Sequence, residues 1–305
     1  MFLSICTPTY NRAYTLERVY KSLVDQSDQD FEWIIVDDGS SDNTKSLVDR
    51  WIQQKLIKIT YYYQNNQGKH IALNKGVNLS QGKLFTCLDS DDWFYNNTVE
   101  IIKKTWVSIK DKKNIAGIIG LDTFEDNSIV GTEFPHHLEK ANWINLMYEH
   151  KVKGDKAYFY ELNILREYDF PHIENNKHMP PSYQLYMISK KYDMWLLNQP
   201  LKYVEYLDDG ITNNIWKNYL IAPDNYAKYR IEIMDLIPDT KRKVINAIHF
   251  NSSLILAKKK YRTNGFKNKV LILLTKPFGL LLYFYLMSKV KKEKRNEWKK
   301  KDRKV

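Results

Sequence analysis

Leu84-Phe85-Thr86-Cys87-Leu88, followed at once by Asp89-Ser90-Asp91-Asp92, is the stretch that decides how this 305-residue chain is read. The apolar half has the makeup of a buried strand. Three carboxylates packed into the next four residues repel and raise one another's pKa. A divalent cation relieves that strain, because carboxylate oxygens suit Mg²⁺ or Mn²⁺ and a diphosphate can complete the shell. In an extended segment Asp89 and Asp91 project the same way and can grip one ion together. A solvated Asp- and Ser-rich turn capping the next helix is the plainer alternative, so the flanking sequence has to decide.

Working outward, strand-like and helix-like segments alternate. Strands are expected at Leu3 to Thr7, Phe31 to Val36, Ile57 to Tyr63, Leu84 to Leu88 and Ile115 to Leu121. Between them lie helical patterns: Leu16, Val19, Tyr20, Leu23 and Val24; then Leu47, Val48 and Trp51; then Ile71, Ala72, Leu73 and Val77; then Thr98 to Ile109. Such alternation implies an α/β fold, a mostly parallel sheet with helices on both faces. Ligands bind such sheets at the carboxyl ends of the strands. Thr7-Pro8-Thr9-Tyr10, Asp37-Asp38 and Asp89 to Asp92 all follow strand ends, so three polar clusters converge on one edge. Beyond about residue 130 the pattern loosens. Aromatic strand pieces recur at Ala157 to Tyr160 and Leu201 to Tyr206, and 213–260 reads as mostly helical with breaks at Pro223 and Pro238.

Composition narrows the function classes. Eight Trp, 22 Tyr and 12 Phe suffice for a large core, and the two cysteines, Cys6 and Cys87, sit in apolar runs. Buried reduced thiols and a cytosolic chain are expected, not a disulfide framework. The opening Met-Phe-Leu-Ser-Ile-Cys has no basic region or cleavage site, so no signal peptide is expected. Ten Lys/Arg against three Asp/Glu fall between Lys289 and Val305, a surplus of seven within a net charge of +11. The body carries only +4, which argues against a nucleic-acid partner, since that would want a basic folded face.

Four segments together resemble the inverting GT-A glycosyltransferases of family 2. They are Cys6-Thr7-Pro8-Thr9-Tyr10-Asn11-Arg12, Ile34-Ile35-Val36-Asp37-Asp38-Gly39-Ser40, Gly68-Lys69-His70-Ile71-Ala72-Leu73-Asn74-Lys75-Gly76 and Leu88-Asp89-Ser90-Asp91-Asp92. The resemblance covers roughly the first 125 residues and implies a GT-A fold, a Rossmann-like mixed sheet flanked by helices, with a C-terminal helical extension. It implies a UDP-sugar donor and a Mn²⁺ or Mg²⁺ cofactor. Pro8 and Thr9 would offer backbone contacts, Tyr10 would pack on the base, and Asp38 would accept from the uracil imide. Lys69 and Asn74 match the region near the diphosphate. Asp89, with Ser90, would face the ribose and metal shell, and Asp91 would bind the cation, leaving Asp92 a structural part.

Inversion also needs a general base to deprotonate the acceptor hydroxyl. The position where related chains place a Pro-Glu reads Met179-Pro180-Pro181-Ser182, with no carboxylate. Glu174 is the choice for the base, Asp155 resembles a family position near the sugar and acceptor, and His178 and the pair Asp208-Asp209 are further candidates.

Residues 270–288 are apolar and nearly long enough to span a bilayer, but Lys276, Pro277 and Gly279 interrupt the middle. Two short segments lying in a membrane interface or docking on a partner are expected. A buried helical hairpin and a transmembrane helix are the alternatives. Lys and Arg near an anionic leaflet contribute about 1 kcal/mol each, so the tail 289–305 fits the cytoplasmic face of the cell membrane, peripherally attached.

The resulting expectation is a GT-A domain over 1–210, with a nucleotide-binding half 1–125 and an acceptor half 126–210, then a helical region 211–305. Its reaction would move a hexose or N-acetylhexosamine from a UDP-sugar to a hydroxyl of a lipid-linked (polyprenyl diphosphate) glycan in bacterial surface polysaccharide synthesis; a homo-oligomer is compatible with this. A non-catalytic GT-A partner subunit that binds nucleotide or membrane and regulates another transferase is the alternative. A nucleotidyltransferase is a third reading, weakened by the lack of a Gly-rich, basic N-terminal loop.

Overall fold

A computed structural model describes residues 1–207, 215–259 and 268–302. Its elements in chain order are β1 (Leu3–Thr9), α1 (Ala13–Val24), β2 (Phe31–Asp37), α2 (Thr44–Gln54), β3 (Ile59–Tyr63), α3 (Lys69–Leu79), β4 (Leu84–Cys87), β5 (Trp93–Phe94), α4 (Thr98–Ser108) and β6 (Ile115–Thr123). There follow β7 (Lys140–Ala141), α5 (Trp143–Tyr148), β8 (Lys156–Glu161), α6 (Leu162–Leu165), α7 (Ser182–Ile188) and β9 (Asp193–Tyr203). Helices α8 (Ile215–Ile221), α9 (Pro223–Ile233), α10 (Thr240–Ala257) and α11 (Lys269–Asp302) complete the described chain.

The strands form one mixed sheet in the order β3-β2-β1-β4-β8-β6-β9-β5, with β7 beside β9. β3, β2, β1 and β4 run parallel; β8 enters antiparallel between β4 and β6; β6 and β9 run parallel again. β1 and β2 are buried at every position, which is why both read as unbroken apolar runs and not as alternating ones. Ile5, Trp33 and Ile35 pack against α1, α2 and α4, with the Tyr20 and Trp51 rings stacked 4.4 Å apart. On the opposite face α3 lies against Cys6 and Val36. The α/β sheet expected from the alternation is therefore present, and mostly parallel.

Two sequence expectations need correction. The strand placed at Leu201 to Tyr206 is the end of a longer one, β9, which starts at Asp193. Its pairing with β6 slips at several places, so no clean period of two marks its first half. Second, 270–288 is not two segments: α11 is continuous and carries Pro277 inside it. A proline removes one backbone donor but can be held within a helix whose neighbours are packed. Gly279, far from breaking the helix, stands where a Cβ would meet that of Asn251 at 2.4 Å. Its missing side chain admits α10.

By contacts the chain divides into two compact units. One comprises Met1–Lys177 with Pro181–Asn213, the other His178–Pro180 with Asn214–Val305. The boundary expected at 210/211 lies outside the described residues. The second unit has its own core, built on Ala227, Met234, Ala247, Phe250 and Ile272.

Candidate active site

β2, β1 and β4 are neighbours, so their carboxyl ends lie side by side and bring the three polar clusters together. The loops are tied to one another directly. Asp38 donates its N–H to the Thr9 carbonyl at 2.8 Å, Asn11 N–H donates to Ser40 Oγ at 2.8 Å, and Ser41 N–H donates to Asn11 Oδ1 at 2.8 Å. Pro8 and Thr9 are buried, while Tyr10 stands half exposed beside them. Asp37 holds the turn by accepting from Ser40 N–H and from the Tyr61 hydroxyl.

Asp38 faces the start of α3. Its carboxylate accepts from the N–H groups of Gln67 and Gly68 at 2.8 and 2.7 Å and from Gln64 Nε2 at 2.8 Å. A carboxylate there also meets the positive end of the helix dipole. Burial nevertheless pushes its pKa up, against those donors and Lys177. Gly68 has φ +98°, and a Cβ on it would fall 1.9 Å from the Lys177 carbonyl oxygen. Only glycine fits this junction.

α3 then presents Lys69 to the acidic corner, where its Nζ lies 2.6 Å from Asp89 Oδ2. Cys87 Sγ donates to the other oxygen at 3.2 Å. Burial would raise the Asp89 pKa, but Lys69 and Lys202 outweigh it and hold the group at about 2. Asn74, one turn further on, points elsewhere. Its carboxamide clasps the backbone of Phe170, donating to the carbonyl at 2.8 Å and accepting from the N–H at 2.9 Å.

Asp91 differs from its neighbours. Its carboxylate forms no ion pair with any described residue, and burial together with Asp89 pushes its pKa up. Its carbonyl is held by Arg18 Nη2 at 2.8 Å, and the Arg18 guanidinium lies 3.9 Å above the Trp93 ring and 2.5 Å from Glu205. Ser90 is buried in the turn closed by Asp92 N–H on the Asp89 carbonyl at 3.1 Å. An open cleft of about 710 Å³ adjoins this corner, lined by Tyr14, Arg18, Trp93 and Glu205 among others.

Lys202 and Asp122 were missed in the sequence. Lys202 lies 2.9 Å from Asp92 and 3.5 Å from Asp122, all three nearly or fully buried. Burial raises Asp92 to about 7 and Asp122 to about 6, with Lys202 opposing both shifts. A lone Lys and a lone Asp inside apolar strands carry no local signal of their meeting; only the β6–β9 pairing joins them.

Asp155 and Glu174, the expected acceptor-side acids, are separated in their surroundings. The β6–β8 register, carried one step past Leu121 and Lys156, sets Asp155 opposite Asp122. Asp155 is exposed and accepts from the Tyr206 hydroxyl at 2.9 Å. Glu174 is exposed and no contact joins its carboxylate to the acidic corner. His178 belongs to the second unit, where its ring stacks 5.7 Å from Tyr226. Asp208 and Asp209 lie outside the described residues.

The donor set can be tested against a divalent cation. Among the described residues no three His, Cys, Asp or Glu side chains form a metal cage. Asp89, Asp91, Asp92 and Asp122 nevertheless cluster with only two ion-paired ammonium groups among the described residues, Lys69 on Asp89 and Lys202 on Asp92 and Asp122. All the free donors are carboxylate oxygens. That suits a hard cation held by one or two carboxylates and completed by substrate phosphates, with Asp91 and Asp89 as the residues to hold it.

A model of the family described as glycosyl transferase family 2 matches residues 4–165, just over half the chain. The chain belongs to that family. The matched region of this family 2 protein holds every residue of the acidic corner except Lys202, and the loops after β1 and β2 in full. A Campylobacter jejuni relative, GalNAc(5)-diNAcBac-PP-undecaprenol beta-1,3-glucosyltransferase, is 32% identical over 43% of this chain and 41% of its own. The putative teichuronic acid biosynthesis glycosyltransferase TuaG of Bacillus subtilis is 23% identical over 70% of this chain and 83% of its own. An uncharacterized Rickettsia conorii glycosyltransferase is 37% identical over 32% of this chain, which spans only 16% of that relative. Among solved structures, S. aureus TarS 1-349 in complex with UDP-GlcNAc aligns over 92% of this chain and 78% of its own, with TM-score 0.58 and 17% identity. The mannosyltransferase PcManGT from Pyrobaculum calidifontis, in complex with GDP-Man and Mn2+, aligns over 93% and 87% with TM-score 0.52 and 16% identity. Both share the GT-A-like fold.

Proposed function

We propose that this protein transfers a hexose or N-acetylhexosamine, with inversion, from a UDP-sugar to a hydroxyl of a lipid-linked glycan during bacterial surface polysaccharide synthesis. The observation that carries the donor half is the junction of Thr9, Asp38, Lys69 and Asp89 at one sheet edge, with Asp91 in no ion pair with a described residue. Family membership supports the reaction class, and the names of the Campylobacter and Bacillus relatives support the acceptor class. The acceptor reading also sets the protein at the cytoplasmic face of the membrane.

In this reading Pro8, Thr9 and Tyr10 border the nucleotide, and Asp38 keeps lone-pair capacity beyond its three protein donors. Asp91 and Asp89 would hold Mn²⁺ or Mg²⁺, which when bound would supply Lewis-acid neutralisation of the leaving diphosphate. Lys69 adds a fixed positive charge to the same place. Asp155 receives the acceptor proton, supported by its exposure at the sheet edge opposite Asp122; Glu174 is the rival for that role.

UDP release from UDP-sugars, measured with Mn²⁺ and a bacterial lipid extract, tests the proposal. Turnover abolished by Asp91→Ala is expected. Nucleotide binding without turnover across donors and acceptors overturns it in favour of the regulatory partner subunit. Comparing Asp155→Asn with Glu174→Gln assigns the base, since only the true one loses more than about 100-fold in kcat.

A further inference from the structure

The exposed side of α11 is an apolar surface that no described residue of the second unit covers. At 3.6 residues per turn, the positions 270, 273, 274, 277, 278, 280, 281, 284 and 285 fall in one arc of about 160°. All are hydrophobic, and Val270, Leu274, Phe278, Leu281, Phe284 and Tyr285 are more than half exposed. No charged residue interrupts the arc. Lys269 and Lys276 border it on one side and Lys289 on the other, the last with its ammonium 5.2 Å from the Tyr285 ring. Beyond lies the basic run of 289–305.

The opposite side is already committed. Ile272, Thr275, Gly279 and Leu286 form its buried stripe. Asn251 of α10 donates to the Ile272 carbonyl at 2.9 Å and to Thr275 Oγ1 at 3.0 Å. A 23-residue stretch, Lys269–Lys291, is long and apolar enough to cross a bilayer. Crossing would strip α11 from α10, break both Asn251 hydrogen bonds and uncover the apolar core that Ile272 shares with Ala247 and Phe250, which costs heavily. The helix therefore has one side for protein and one for something apolar.

We propose that α11 lies flat in the interface of an anionic lipid bilayer, its outward arc among the acyl chains and its bordering lysines at the headgroups. This deepens the membrane-surface reading above and names the surface that makes it. Charge selects the occupant. Two copies of this face would set lysine against lysine, whereas an anionic leaflet neutralises both borders and the tail, and long basic side chains reach up to headgroups from an apolar floor.

Co-sedimentation of the full chain with vesicles, without nucleotide or acceptor, tests this. Binding to phosphatidylcholine containing one-third phosphatidylglycerol is expected, with release by alkaline carbonate. Pure phosphatidylcholine should bind at least about tenfold more weakly, since each cation near an anionic surface is worth roughly fivefold. Leu274→Ser combined with Leu281→Ser and Phe284→Ser should weaken binding about 100-fold or more, as each removes a large apolar group from lipid. Equal binding by that variant overturns the proposal, as does resistance to carbonate, which would mean a spanning helix. A wild-type dimer that the variant makes monomeric, with no vesicle binding, assigns the face to a second copy instead. Should the triple variant misfold, Lys276→Glu with Lys289→Glu reads the same surface, with selective loss on anionic vesicles expected and no change counting against it. Transfer to detergent-solubilised acceptor is scored separately, so inactivity and failure to bind lipid remain distinct results.

Discussion

Lys69 Nζ lies 2.6 Å from Asp89 Oδ2, joining the first turn of α3 to the end of β4. Burial alone would drive the lysine towards neutrality, yet Asp89, Cys87 and Asp91 keep its pKa above the ordinary value. The ammonium is thus a permanent charge at the proposed diphosphate site. Lys69→Met should lower kcat/KM for the UDP-sugar about 100-fold, as expected for losing a preorganised charge at a departing group. Steady-state UDP release measures this, and an unchanged kcat/KM would remove Lys69 from the donor site.

Asp91 predicts a contrast between binding and stability. Because its carboxylate makes no close ion pair with a described residue, Asp91→Asn should leave the melting temperature within a few degrees of wild type. Mn²⁺-dependent binding of UDP should fall at least about tenfold, because a neutral carboxamide oxygen replaces an anionic carboxylate at the cation. Titration calorimetry with and without Mn²⁺ separates the two effects, and retained metal dependence would move the cation elsewhere.

Asp122 gives a pH signature. Its folded pKa is pushed up to about 6 from 3.8, so between these values the native state binds more protons than the unfolded chain. Stability must then fall as pH rises through that window, by up to about 3 kcal/mol for a shift of this size. Asp122→Asn removes the titration. In EDTA, the melting temperature of the variant relative to wild type should climb from pH 4 to pH 6.5 and level off above. A flat difference would show that Asp122 does not titrate there.

Asn74 bonds the Phe170 backbone through both ends of its carboxamide. Asn74→Ala leaves one carbonyl and one N–H of a buried residue without partners, which should cost about 2–4 kcal/mol. Urea unfolding checks it. Loss of nucleotide affinity with no loss of stability would instead mean that Asn74 contacts the ligand.

The parts of the fold that announced themselves in sequence are those whose residues face one environment throughout. β1 and β2 are wholly buried, and α1 alternates at helical spacing, so local periodicity sufficed. The three donor-side clusters were legible because β2, β1 and β4 place strand ends next to one another without any long-range slip. Lys202 and Asp122 were not legible. Each is a single polar residue in an apolar strand, and they meet through β6–β9 pairing whose register shifts at Gly120 and again before Asp122. Arg18, which no sequence motif singled out, is the group that donates to the Asp91 carbonyl while its guanidinium lies over Trp93. In α11, Pro277 and Gly279 read as breaks, but one lies on the uncovered side and the other fills a contact with Asn251 that no larger residue would fit.

The reversed direction of β8 carries a consequence for how such a protein can change. β6 leaves the sheet at the edge where β4 ends, and β8 re-enters at that same edge because it runs the other way. The excursion 124–155 therefore starts and finishes at the edge that carries the candidate site, and between these ends it pairs through β7 with the first residues of β9. Its exposed stretches on either side of β7 can lengthen, shorten or exchange side chains while β1, β2, β4 and α3 keep their register, whereas Phe134 and Leu146 are fixed by burial. In the proposed reading, acceptor choice can then drift while the nucleotide-binding strands stand still.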